Sequence, residues 1–169
     1  MVVILHNVRS THNVGSIFRT ADAAGCEKIY LCGITPAPID RFGRENEKIS
    51  KVALGAEKWI AWEKFGQTAK LIDKLKKPAR NASAIVAGGD GYKILAIEQS
   101  RRSIPYQKIK LTKKDSAKIA LVVGNEIKGL PPAILRRADK ILEIPMRGKK
   151  ESLNVAVAFG IVAFDLINK

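Results

Sequence analysis

A chain of 169 residues suits one domain with a proper core and leaves little room for a separate substrate-recognition module. Its formal net charge of +14 is spread from Arg9 to Lys169 rather than gathered in a tail, which favours a polyanionic partner, nucleic acid first. Cys26 and Cys32 make neither a disulfide framework nor a CxxC metal pair, and the short apolar run at the N-terminus lacks the basic region of a signal peptide, so a soluble protein of a reducing cytoplasm is expected.

Residues 2–5 form an apolar run that suits a strand buried on both faces. Helical spacing follows, with Val14, Ile17, Phe18 and Ala21 on one face, Asn13 as the expected N-cap and Gly25 as the stop. Residues 28–32 read as a second strand, so the chain opens β-α-β, which implies parallel pairing. After a loop opened by Pro36 and Pro38, residues 44–54 are expected to be helical, 59–62 to form a short strand, and 65–77 a helix carrying Phe65, Ala69, Ile72 and Leu75. Residues 84–87 read as another buried strand ending at a Gly-Gly-Asp-Gly turn. Residues 100–118 hold seven Lys or Arg against one Asp and read as a basic loop. A strand at 119–123, a loop at 124–130, a helix opening near Pro131 and Pro132, a strand at 141–144 and a helix at 152–167 complete the chain. The last helix is apolar from 155 to 164 but meets Asp165 well short of the ~20 residues that span a bilayer, and no basic amphipathic helix points to a membrane surface. Strands alternating with helices from end to end give a single α/β domain over residues 1–169.

Three polar, glycine-containing loops follow apolar strands, at residues 6–13, 124–130 and 145–154. In open α/β sheets ligands collect outside the carboxyl ends of strands, which makes these loops natural co-workers. Ser152 is the expected N-cap of the last helix, leaving the N–H groups of Leu153, Asn154 and Val155 free for a polar or anionic ligand. The Gly-Gly-Asp-Gly stretch lacks a dinucleotide fingerprint, and Gly148-Lys149-Lys150 lacks the glycine and the Ser/Thr of a phosphate-binding P-loop. His6 and His12, without a nearby carboxylate cluster, make a poor metal site, and none is expected.

Asn13-x5-Arg19-Thr20-x-Asp22-Ala-x-Gly25, Gly124-Asn125-Glu126-x-x-Gly129-Leu130 and Ile144-Pro-Met146-x-Gly148-x3-Ser152-Leu-Asn154-Val-x-Val-Ala158 together resemble the three ordered motifs of the SpoU (TrmH) branch of the SPOUT RNA methyltransferases. The likeness covers nearly the whole chain. It implies a 2′-O-ribose methyltransferase that uses S-adenosylmethionine on tRNA or rRNA. It also implies a mostly parallel sheet flanked by helices, a deep C-terminal trefoil knot and a homodimer, with the helix at 13–25 and the C-terminal helix near the interface.

Carried over position by position, the resemblance makes Asn13, Arg19, Glu126, Ser152 and Asn154 catalytic or substrate-positioning residues, and Gly124, Ile144, Met146 and Leu153 the cofactor pocket, completed by Ala87 and Gly88. Glycines allow close backbone approach, and the apolar side chains can enclose an adenine. Many relatives carry an added RNA-binding domain, whereas here the motifs fill the chain. Gripping RNA then falls to Arg9, Arg41, Arg44, Lys128, Arg147, Lys149 and Lys150. A base methyltransferase of another SPOUT branch and a non-catalytic RNA-binding protein are the competing classes; the five polar positions speak against the second, and the Ser-Leu-Asn sequence with Arg19 against the first.

Overall fold

The computed structural model describes residues 1–77, 91–112 and 118–169. The expected strand at 84–87, with Ala87 and Gly88, lies outside the described residues. Among the described residues seven strands form one parallel sheet in the order β3-β2-β1-β6-β4-β7-β5. They are β1 (Val2–His6), β2 (Lys28–Cys32), β3 (Ala61–Phe65), β4 (Lys93–Ile97), β5 (Ile104–Pro105), β6 (Ile119–Val123) and β7 (Lys140–Glu143). Among the described residues six helices accompany them: α1 (Thr11–Ala23), α2 (Glu47–Ala53), α3 (Ala56–Trp59), α4 (Thr68–Lys76), α5 (Pro132–Leu135) and α6 (Val155–Ile167).

The period-2 alternation of the strands splits the core in two. Val3, Leu5, Ile29, Leu31, Leu95, Leu121 and Val123 face one side, where they meet Ile17, Phe18, Ile49, Phe159 and Val162 of α1, α2 and α6. Val2, Ile4, Ile94, Ala96, Ala120 and Val122 face the other, against Leu71, Ile72 and Ile134 of α4 and α5. Strands covered on both faces read as unbroken apolar runs, which is why β1 and β6 stand out in the sequence. β4 has the same character in Ile-Leu-Ala-Ile, yet it escapes a reading that assigns 100–118 to a basic loop and the preceding strand to 84–87.

Several local expectations are corrected. The N-cap of α1 is Ser10, whose hydroxyl accepts the Asn13 N–H, so Asn13 sits inside the first turn. Gly25 ends α1 as expected: its φ is 64°, its N–H bonds the Asp22 carbonyl, and the Cys26 N–H reaches back to Ala21, a Schellman motif. The expected helix at 44–54 shortens to α2 because Ile39 bridges Glu45, which holds that stretch in a hairpin-like loop. Trp59 ends a short helix rather than opening a strand, and Phe65 closes β3 beside Cys32 rather than starting α4. α6 begins at Val155, capped by Asn154 and not by Ser152.

Candidate active site

The sheet reverses its strand order between β1 and β6, so the loops leaving their carboxyl ends meet across a crevice. The contact is made by Glu126. Its Oε2 accepts the Arg9 N–H at 3.0 Å, and its Oε1 accepts the Ser10 N–H at 2.9 Å and the Asn13 amide N–H at 3.0 Å. Asn13 Oδ1 in turn accepts from the Asn154 side chain at 2.9 Å, and Asn154 Oδ1 accepts the N–H groups of Ala156 at 2.9 Å and Val157 at 3.4 Å. One chain of hydrogen bonds thus runs from the loop after β6, through the first turn of α1, to the N-terminus of α6. It joins three segments far apart in sequence, and Asn13, buried at 7% exposure, is its hub.

Partial burial raises the pKa of Glu126, but the N–H donors of Arg9 and Ser10, its own N–H and the Asn13 amide outweigh that and leave it below its ordinary value. A carboxylate held anionic by several donors is a weak proton acceptor. The geometry gives Glu126 a positioning role: it fixes the entry to α1 against the loop at 124–130.

A cavity of about 180 Å³ opens beside this chain at the carboxyl ends of β4, β6 and β7. Gly124, Glu126, Ile144, Met146, Ser152 and Leu153 line it, six of the residues singled out from the sequence. Asn13 and Asn154 stand behind it through Glu126. Arg19 does not line it; it is exposed on α1, and its side chain makes no hydrogen bond or ion pair with a described residue. Of the expected RNA-gripping residues, Arg9 and Lys128 flank the crevice, while Arg41 and Arg44 stand at the tip of the loop after β2, their guanidinium groups 4.7 and 5.0 Å from the Phe42 ring centre. Arg147, Lys149 and Lys150 are exposed on the loop leading into α6.

The sequence reading misses the wall supplied by β4. Ile97, Glu98 and Gln99 line the cavity, and none of them was singled out from the sequence; Ala87 and Gly88 lie outside the described residues. Glu98 accepts the Leu130 N–H at 2.7 Å and the Gln99 N–H at 3.0 Å, tying the loop at 124–130 to the end of β4. Glu143, bonded to the Ser103 hydroxyl, lines the same cavity. The signal for this wall is the apolar run 94–97 ending in Glu-Gln, a strand end of the same kind as the other two.

Gly124 and Gly129 make the tight loop possible. A Cβ on Gly124 would lie 2.6 Å from the Gly129 carbonyl carbon, and Gly129 has a φ of 61° with Glu98 against it. Gly124→Ala is therefore expected to push the two backbone segments apart, at about 1–3 kcal/mol, and to lower the melting temperature by several degrees. It should also weaken ligand binding in the cavity more than tenfold. A thermal melt and a calorimetric titration would check both.

This all-parallel sheet with a loop-built cavity at its carboxyl edge is the fold of the SPOUT methyltransferases. Within that class the sequence model of the SpoU rRNA Methylase family matches residues 1–164, and the chain belongs to that family. It is 32% identical over 165 residues to tRNA (guanosine(18)-2′-O)-methyltransferase of Aquifex aeolicus, covering 98% of this chain and 67% of the relative. To the 23S rRNA (guanosine-2′-O-)-methyltransferase of Escherichia coli it is 29% identical, with 99% and 60% covered. A crystal structure of an AdoMet-bound rRNA methyltransferase from Sinorhizobium meliloti superposes with a TM-score of 0.80 at 29% identity, over 99% of this chain and 55% of that one. The chain thus spans between 55% and 67% of the length of these three proteins.

Proposed function

We propose that the protein transfers a methyl group from S-adenosylmethionine to a ribose 2′-hydroxyl of tRNA or rRNA. The observation that carries this reading is the hydrogen-bonded chain Glu126–Asn13–Asn154, which unites the three family motifs at the rim of the cavity. The cavity's residues fit the cofactor: Ile97, Ile144, Leu142 and Leu153 offer apolar surface for an adenine, and Glu98 and Glu143 offer acceptors for hydroxyl or ammonium groups. Bound there, S-adenosylmethionine supplies an already activated methyl group. The chain's own task is to hold the ribose hydroxyl in line at near-attack distance and to ease removal of its proton, which positioned groups achieve without forming a covalent bond. Arg9, Arg41, Arg44, Lys128, Arg147, Lys149 and Lys150 supply the phosphate contacts. The test is to incubate the protein with labelled S-adenosylmethionine and RNA from cells lacking the gene, then digest to nucleosides. A labelled 2′-O-methylnucleoside is expected; label on a base instead would sink the reading.

The same reading makes the active form a cytoplasmic homodimer. Its support is the exposed apolar stripe of α6, where Val157 is 51%, Phe164 41% and Ile167 45% exposed, and α1, carrying Arg19, packs beside this helix. A helix with so much uncovered apolar surface calls for a partner. Light scattering at micromolar concentration should give twice the 18.5 kDa chain mass, and a monomer mass would refute the dimer. The trefoil knot belongs to this reading too, supported by β7 lying between β4 and β5, both of which precede it in the chain.

A further inference from the structure

A second cavity, a trough of about 550 Å³, lies on the other side of the loop at 124–130. His6, Asn7, Arg9, Ile34, Asn125, Ile127, Lys128, Gly129 and Pro131 line it, and Asn125, Ile127 and Gly129 also line the first cavity, so a single loop divides the two. Two of its walls are unusual for a surface: Ile127 is 83% and Ile34 65% exposed, aliphatic side chains held in water on opposite loops. Neither is loosely placed. The Asn125 carboxamide oxygen accepts the N–H groups of Ile127 at 3.0 Å and Lys128 at 2.9 Å, while its amide donates to the Asn7 carbonyl at 2.8 Å. Asn7, held at a φ of 55°, accepts the Ile34 N–H at 3.1 Å through Oδ1. That bond fixes its amide N–H toward His6 Nε2 at 3.1 Å, so the imidazole is a neutral acceptor there and donates from Nδ1 to the Thr68 hydroxyl at 2.7 Å.

The side chains of Arg9 and Lys128 at the rim make no ion pair with a described residue. The trough therefore combines two aliphatic walls on hydrogen-bonded backbone, cations at its mouth that pair with no described residue, and a floor shared with the proposed methyl-donor cavity. Aliphatic walls cover the faces of a planar ring, cations meet phosphate, and the volume lies within the range of small-molecule sites. We infer that this trough seats the base of the acceptor nucleotide between Ile34 and Ile127, with Arg9 and Lys128 on the adjoining phosphates. The inference rests on the methyl-transfer reading and adds to it where the RNA base goes.

The experiment is methyl NMR of the full chain labelled at isoleucine δ1. S-adenosylhomocysteine is added first to fill the donor cavity; guanosine 5′-monophosphate is then titrated, with ribose 5-phosphate as control. Ring-current shifts of the Ile34 and Ile127 methyls are expected with the nucleotide alone, while Ile29 and Ile94, fully buried, stay put. Lys128→Ala should weaken the nucleotide about two- to fivefold, the range of an exposed ion pair. Silent Ile34 and Ile127 methyls, or equal shifts with ribose 5-phosphate, would overturn the inference. The donor-site reading is scored separately, by whether S-adenosylhomocysteine itself shifts the Ile97 and Ile144 methyls.

Discussion

Glu126→Gln is expected to lower the methylation rate about a hundredfold while changing S-adenosylmethionine affinity much less. The carboxylate receives the Arg9 and Ser10 N–H groups and the Asn13 amide, an acceptor-only role that a carboxamide cannot fill, since its NH₂ would face those donors. Freed from Glu126, the first turn of α1 and Asn13 would drift, and a misplacement of about 1 Å near a reacting centre costs on the order of 10²-fold. The stability loss should be modest, about 1–2 kcal/mol, because the group is largely exposed and solvent screens its bonds. The sign of the pH dependence follows from its lowered pKa. Glu126 contributes stability that is fully present above the ordinary carboxylate value of 4.5 and is lost as the pH falls through its lower folded value. Thermal melts of the wild type and Glu126→Gln should converge across that acidic window and differ most at neutral pH. Single-turnover rates equal to the wild type would remove Glu126 from the machinery.

Arg19→Ala is expected to weaken RNA binding about tenfold and to cut turnover further, whereas Arg19→Lys retains partial activity. The family resemblance marks Arg19 as the candidate general base, yet a guanidinium is a persistent cation with five N–H donors and no acceptor, chemistry better suited to gripping an anion than to taking a proton. The structure adds that Arg19 is exposed, unpaired among the described residues and outside the cavity of its own chain. A cation free to grip the phosphate beside the target ribose, and to orient or acidify its hydroxyl, accounts for these facts. RNA affinity and single-turnover rate, measured for both variants, separate the two roles. Unchanged RNA affinity with near-complete loss of turnover in both would restore the base and end the clamp.

The sequence by itself determined the strands whose apolar runs are buried on both faces, the β-α-β opening, and the three polar loops at strand ends, because these depend on neighbouring residues and a short-range period. The family resemblance carried by its motifs singled out Gly124, Glu126, Ile144, Met146, Ser152 and Leu153, all of which line one cavity. What local pattern could not decide was which of several equivalent caps and strands the fold would use. Ser10 rather than Asn13 caps α1 because Asn13 is drawn inward between Glu126 and Asn154, and Asn154 rather than Ser152 caps α6 because its amide also reaches Asn13. The wall formed by Ile97, Glu98 and Gln99 depends on β4 pairing with β6 and β7, and the trough at Ile34 and Ile127 on two loops brought together from either side of the strand reversal. Such contacts span tens to more than a hundred residues, and only the closing of the sheet selects them from the many that the local sequence allows.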